Sequence, residues 1–324
     1  MMNEELKKQL RNRGICVIIP TYNNDTTIKT VVEKCLLYCD DVIVVTDGCT
    51  DRTTNILDAI DGITIVSYPQ NRGKGYALKM GLRKALEMGF SYAITLDGDG
   101  QHYPEDIPLF LKANQEYPQS LIIGSRQLEG VDRSKGSSFA NKFSNFWFYV
   151  QTGRALPDTQ TGYRLYPLHR LCGLSLLTSR YEAELELLVF ASWHGVKLIP
   201  IPVQVYYPPR NERVSHFRPG KDFARISVLN TVLCFLAVIY GLPLRLCRAL
   251  MTILRTVYSL LFFLFFTLVV FTPFVWIYTK FGKMTERRRY RLHQLIYHAS
   301  RFVMIHHGIP GTKYEYKVAE GIDF

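Results

Sequence analysis

Short, β-branched apolar runs alternate with stretches of helical spacing through the first 110 residues. Ile15–Pro20, Asp41–Thr46, Ile63–Tyr68 and Ser91–Leu96 read as strands. Between them Asp25–Tyr38, Asp51–Ile60 and Lys74–Met88 have helical spacing, with Asp25 a candidate N-cap and Gly89 a stop. Runs this apolar suit strands covered on both faces, and such strands are usually parallel. The alternation predicts βαβ units and an α/β fold. In these sheets ligands bind beyond the carboxyl ends of the strands. The polar residues after the first, second and fourth runs are therefore where chemistry is expected.

The fourth run is followed by Asp97-Gly98-Asp99-Gly100-Gln101-His102. Two carboxylates at i and i+2 on a glycine-rich strand end suit a hard divalent cation, Mg²⁺ or Mn²⁺, which bridges to phosphate oxygens. The same tetrapeptide is also good turn chemistry. Pro20-Thr21-Tyr22-Asn23-Asn24 follows the first run and Thr46-Asp47-Gly48-Cys49-Thr50-Asp51 the second. A carboxylate there can accept from a nucleobase or ribose, and Gly48 allows close backbone approach. Singly these are a turn and a cap. Together they occupy one edge of one predicted sheet.

The rest of the chain differs in charge and hydropathy. Residues 1–223 hold 26 Lys and Arg against 24 Asp and Glu, a net of +2, whereas residues 224–324 hold 13 against 4, a net of +9. The basic excess accompanies two uncharged stretches, Ile226–Leu244 and Thr256–Thr279. About 20 apolar residues span a bilayer, so each is a candidate crossing or hairpin helix. The first, with Asn230, Tyr240, Gly241 and Pro243, is the weaker and also suits an interfacial helix. A basic, apolar tail favours an anionic membrane over nucleic acid, and no nucleic-acid partner is expected. Seven irregularly spaced cysteines read mostly as buried thiols in a reducing compartment. The N-terminus shows no signal-peptide pattern, so the first 220 or so residues are expected to face the cytoplasm.

On these motifs the chain resembles the family 2 glycosyltransferases of GT-A fold, in the branch of dolichol-phosphate mannose synthase. The resemblance rests on Pro-x-Tyr-Asn at 20–23, TDGCTD at 46–51, NRGKGYAL at 71–78 and LDGDGQH at 96–102. It continues through GSR at 124–126, DTQTGYR at 158–164, YEAELE at 181–186 and RNERVSHFRP at 210–219. Asn24 stands where the family usually has an acid, and Thr46 and Cys49 depart from its usual second-strand ending.

The resemblance implies a Rossmann-like, mostly parallel sheet flanked by helices, followed by C-terminal membrane helices. The expected organisation is a catalytic domain over 1–222, a membrane segment over 223–280 and a basic amphipathic tail over 281–324. It implies Asp97, Asp99 and Gln101 as metal ligands, with Mg²⁺ or Mn²⁺ as cofactor. Pro20, Tyr22, Asn24, Asp47, Arg72, Lys74, Asp97 and Gly98 would meet a nucleotide-diphosphate sugar, a UDP- or GDP-hexose. Arg126, Arg164, Arg210, Arg213, Ser215 and His216 would meet the acceptor, a polyprenyl phosphate at the cytoplasmic face of the inner membrane. Arginine suits a lipid phosphate because it binds bidentately.

An anionic phosphate nucleophile needs no strong base, whereas a hydroxyl acceptor would need a carboxylate in reach. Asp158, Glu182, Glu184 and Glu186 are the candidates, and the last three cannot all face one site on a helix. Asp99, Asp158, Glu184 and Glu186 are taken forward as catalytic candidates. Residues 245–324 also resemble the membrane lead-in of lysophospholipid acyltransferase-type enzymes, but no His is followed by Asp five residues on. An acyltransferase partner and a hydroxyl-bearing glycolipid or aryl-polyene-type acceptor form the alternative reading.

Overall fold

In the computed structural model the described residues are 2–126, 135–174, 176–206, 219–281 and 283–306. The apolar runs form strands β1 (Ile15–Thr21), β2 (Val42–Asp47), β3 (Ile63–Tyr68) and β4 (Tyr92–Thr95). Three further strands complete the sheet: β5 (Leu121–Arg126), β6 (Arg164–Pro167) and β7 (Leu198–Val203). The order is β3-β2-β1-β4-β6-β5-β7. β6 runs antiparallel to both neighbours, and the other pairings are parallel. Reversing β6 brings the loop before it beside the carboxyl end of β4, because β6 starts where β4 stops (Thr95 is opposite Arg164).

The helices are α1 (Met2–Asn12), α2 (Ile28–Tyr38), α3 (Thr53–Asp58), α4 (Lys74–Glu87), α5 (Ile107–Glu116) and α6 (Lys135–Thr152). They continue with α7 (Leu168–Leu171), α8 (Glu182–Trp193), α9 (Pro219–Leu236), α10 (Leu242–Phe265), α11 (Thr272–Lys280) and α12 (Glu286–His306). β1 and β2 bury every residue they contain. Ile18, Ile43 and Val45 join the core on one face with α4 and α8, while Val17, Ile19 and Val44 join the other with α2 and α5. That two-sided burial explains why these strands read as continuous apolar runs.

Asp25 is not the cap of α2. The helix starts at Ile28, with Thr27 in the cap position, and the Asp25 carboxylate instead accepts from Arg52 Nε at 3.3 Å. All seven cysteines are free, and only Cys16, Cys35 and Cys39 are buried, fewer than expected.

The chain divides into two compact units, Met1–Leu244 and Arg245–Phe324. The first unit includes α9. Its last helix, α9, buries Leu229, Asn230 and Leu233 against α6 and α8. One helix among the described residues, Ala224–Lys280, is long and apolar enough to cross a membrane. It contains π-helical turns at Ala237–Gly241 and Phe266–Phe271. In the second unit α10 and α11 bury no residue. Arg288 of α12 stacks over Tyr278 at 4.6 Å and donates to its carbonyl at 2.6 Å. The acyltransferase-like tail beyond residue 306 lies outside the described residues.

Candidate active site

Past the end of β4 the chain turns through Asp97-Gly98-Asp99-Gly100, with Gly100 at φ +78°. Lys74, the first residue of α4, places Nζ 2.8 Å from one oxygen of Asp97 and 3.0 Å from the other. The same ammonium lies 3.1 Å from Glu184 Oε1 in the first turn of α8. A β4 turn and the starts of two helices thus converge on one cation. Glycines make the convergence possible. A Cβ at Gly162 would lie 2.8 Å from Lys74 Nζ and 2.9 Å from Asp97 Oδ2, and one at Gly75 would lie 2.3 Å from Ala183 Cβ. The Gly162 carbonyl is held by Thr95 Oγ1 at 2.7 Å, so the DTQTGYR loop roofs the ion pair.

The two strand-end carboxylates titrate in opposite directions. Burial works against the charge on Asp97, but Lys74 outweighs it and holds this carboxyl below its ordinary range. Burial, then the negative charge of Asp97, pushes Asp99 up to about 6. Its Oδ1 accepts the Gln101 N–H at 3.0 Å, and among the described residues it forms no ion pair. His102 lies behind the turn, where Nδ1 accepts the Asp97 N–H at 3.4 Å. Burial holds His102 down to about 4, leaving it neutral, and its ring packs on Tyr163 at 5.1 Å.

Asp97 and Glu184 share the Lys74 ammonium and Asp158 holds Arg126, which leaves Asp99 without an ion pair among the described residues. A half-buried carboxylate with no ion pair, beside a second carboxylate, fits a divalent ion. Among the described residues no cluster of three or more His, Cys, Asp or Glu forms a metal cage. A metal held by Asp97 and Asp99 would therefore take further oxygens from a diphosphate or water, the usual habit of Mg²⁺.

The neighbouring strand ends are tightly ordered. Asp47 accepts the backbone N–H groups of Arg72 and Gly73, both at 2.8 Å, and so pins the NRGKG loop. Gly48, at φ +65°, leaves room for that loop, since a Cβ there would lie 2.4 Å from Asn71 N. Arg72 stacks over Tyr76 at 4.9 Å, and its Nη1 donates to the tyrosine hydroxyl at 3.0 Å. Tyr22 and Asn24 are half-buried on the turn after β1; Asn24 Nδ2 donates to Thr21 Oγ1, and Asn23 accepts from Thr50 N.

Several expected residues take other roles. Pro20 is buried within β1, opposite Val45, and cannot line an open pocket. Gly98 is buried too; its carbonyl accepts from Thr27 Oγ1 at 2.7 Å, so it docks the β4 turn onto α2. Gln101 is engaged through its backbone, by Asp99 and by Tyr206 N. Arg126 binds Asp158 bidentately at 2.6 and 3.0 Å, which occupies the proposed base. Arg164 is fully buried and donates to the carbonyls of Glu184 and Thr159, so it ties α8 to the DTQTGYR loop and cannot reach a lipid phosphate. Glu186 is fully buried and accepts from Leu177 N, Thr178 N and Thr178 Oγ1; it anchors a loop instead of facing the site. Arg210, Arg213, Ser215 and His216 lie outside the described residues. Sequence reasoning did not foresee the roles of His102 and Gly162, although both sit inside the motifs LDGDGQH and DTQTGYR.

The family profile described as "Glycosyl transferase family 2" matches residues 16–166, from β1 through β6. This chain carries a family 2 glycosyltransferase domain. The chain is similar to a UDP-N-acetylglucosamine–dolichyl-phosphate N-acetylglucosaminyltransferase of Methanococcus voltae, 29% identical over 61% of this chain and 88% of the relative. It is likewise similar to a polyprenol monophosphomannose synthase of Mycolicibacterium smegmatis, 29% identical over 58% of this chain and 75% of the relative. Among solved structures, glucosyl-3-phosphoglycerate synthase from Mycobacterium tuberculosis, in complex with Mn²⁺, UDP and phosphoglyceric acid, superposes at a TM-score of 0.55. That match covers 72% of this chain and 82% of the other at 18% identity, and shows the shared GT-A fold. The glycosyltransferase is therefore an α/β enzyme with a long apolar helix after its catalytic sheet.

Proposed function

We propose that this glycosyltransferase moves a hexose from a nucleotide-diphosphate sugar to a polyprenyl phosphate at a membrane surface, with inversion and with a divalent metal. The curated relatives support the acceptor class, since those named above act on dolichyl phosphate or make polyprenol monophosphomannose. The observation that carries the phosphate acceptor over a hydroxyl is the state of the candidate bases. Asp158 is held by Arg126, Glu184 by Lys74 and Glu186 by a loop, while Glu182 is buried in the first turn of α8. A phosphate oxygen is already anionic near neutral pH and attacks without a base.

In this reading Asp97 and Asp99 would hold Mg²⁺ or Mn²⁺, and the ion would supply positive charge to the diphosphate leaving group. The loop pinned by Asp47 presents Arg72 to the nucleotide. Lys74 keeps Asp97 ionised and is a positive charge beside the diphosphate. The lipid phosphate oxygen bonds to the anomeric carbon as the bond from that carbon to the nucleoside diphosphate breaks. The catalytic unit then faces the cytoplasm, anchored by the apolar helix at 256–279.

The test is transfer in detergent, with and without Mn²⁺ or Mg²⁺, from labelled UDP- and GDP-sugars to undecaprenyl phosphate or a total lipid extract. Metal-dependent label in a mild-acid-labile polyprenyl product is expected and names the donor. Label only in an acid-stable lipid overturns the phosphate acceptor in favour of a hydroxyl.

A further inference from the structure

The first turns of α4 and α8 pack on each other through glycine. A Cβ at Gly73 would lie 2.6 Å from Arg180 Cγ and 2.9 Å from the Ser179 carbonyl oxygen, and one at Gly75 would lie 2.6 Å from the Arg180 carbonyl oxygen. The stem of Arg180 therefore lies directly on the NRGKG loop, in space that a larger residue would fill. The segment that leads into α8 is fixed there by its own contacts. Tyr76 N donates to the Ser179 carbonyl at 2.8 Å, and Lys79 Nζ donates to the Leu176 carbonyl at 3.0 Å. Glu186 accepts from the N–H groups of Leu177 and Thr178. Gly73 in turn donates its N–H to Asp47, and Glu184, one helical turn beyond Arg180, meets Lys74.

Arg72, Lys74 and Arg180 thus gather around one loop, and they are not equally engaged. Lys74 pairs with Asp97 and Glu184, and Arg72 stacks on Tyr76 and bonds its hydroxyl. Arg180 is half-buried, and among the described residues its guanidinium forms no hydrogen bond or ion pair. Its place is also an unfavourable one for a cation. The N-terminal end of a helix carries partial positive charge, and Arg180 stands immediately before α8 and against the first turn of α4. Its charge gains nothing from either helix until an anion joins it. A phosphoryl group suits both needs, because it accepts bidentately from a guanidinium and is favoured at helix N-termini.

We propose that Arg180 is a phosphoryl-binding residue of the active site, adding to Lys74 a second cation for a substrate phosphate. The inference rests on the glycosyltransferase reading given above. Donor diphosphate and lipid phosphate share this chemistry. The contact of Arg180 with the loop pinned by Asp47 favours the donor.

The test uses the full chain in detergent with Mg²⁺ and the variant Arg180→Met, which keeps an unbranched stem on Gly73 and removes the charge. Binding of UDP and of GDP is measured by calorimetry, and KM for undecaprenyl phosphate in the transfer assay. The diphosphate that the wild type binds should bind Arg180→Met about tenfold more weakly, the scale of one hydrogen-bonded contact to a charged group, with the melting temperature unchanged. Arg180→Lys should recover part of that loss. Arg83→Met, at an exposed residue of α4 that pairs with Glu87 at 3.0 Å, should bind the diphosphate like the wild type. Unchanged diphosphate affinity with KM for undecaprenyl phosphate raised by a similar factor supports the phosphoryl role and assigns it to the lipid. Unchanged affinity with unchanged KM overturns the inference and spares the proposed function. Equal losses in Arg180→Met and Arg180→Lys with a lowered melting temperature also overturn it, since the arginine then serves only as packing. A wild type that binds neither diphosphate and transfers no sugar defeats the proposed function and this inference together.

Discussion

β1 and α10 are both rich in apolar residues, although α10 also carries Arg245, Arg248 and Arg255, and their side chains end in opposite states of burial. β1 buries all seven of its residues between two layers of helices. α10 buries none of its 24. Hydrophobicity says that a segment leaves water, but not what replaces the water. A strand's backbone groups are satisfied only by neighbouring strands, so a β-branched run commits to the sheet and its core. A helix satisfies its own backbone and can present an apolar surface to lipid.

That contrast can be broken by measurement, and the largest effect is expected at the sheet's edge. Asp99→Ala should lower turnover by about two to three orders of magnitude, the scale of losing one preorganised electrostatic group, with the fold intact by circular dichroism. Retained metal-dependent turnover would remove Asp99 from the metal. Arg164→Ala should destabilise the catalytic unit by roughly 3–5 kcal/mol in denaturant unfolding, since it opens a large cavity and strands two buried carbonyls. An unchanged midpoint with a raised KM for the lipid would return Arg164 to the acceptor site. Gly162→Ala should cost roughly 1–3 kcal/mol and most of the activity, because the methyl group meets the Lys74–Asp97 pair. Full stability and activity would show that the loop does not roof that pair.

The smallest effects test the contrast directly. Ile18→Val, in a fully buried side chain of β1, should cost roughly 0.5–1.5 kcal/mol. Leu260→Ala, at a position 57% exposed on α10, should stay within about 0.5 kcal/mol for unfolding in detergent. A larger loss at Leu260 than at Ile18 would mean that α10 packs on protein.

Much of the fold was legible because its signals are local. The four predicted strands match β1 to β4 within about two residues, the usual error at element ends. β5, β6 and β7 were not foreseen. β6 is four residues long and antiparallel in a mostly parallel sheet, and nothing local in Arg164–Pro167 announces that reversal. By composition the first apolar stretch suits a crossing, a hairpin or an interfacial helix. Composition does not specify that its Asn230 pairs with Gln151 inside the first unit.

The sequence by itself determined the α/β alternation, the strand-end motifs and the long apolar helix, since each depends on residue types a few positions apart. Only the tertiary structure decided which charged groups meet. It joined Lys74 to Asp97 and Glu184, and it joined Arg126 to Asp158. It also removed Arg164 and Glu186 from the site by burying them behind it. Those outcomes depend on distances of a few ångströms between segments far apart in the chain. Electrostatic and hydrogen-bond energies change steeply over such distances, and the order of residues does not encode them.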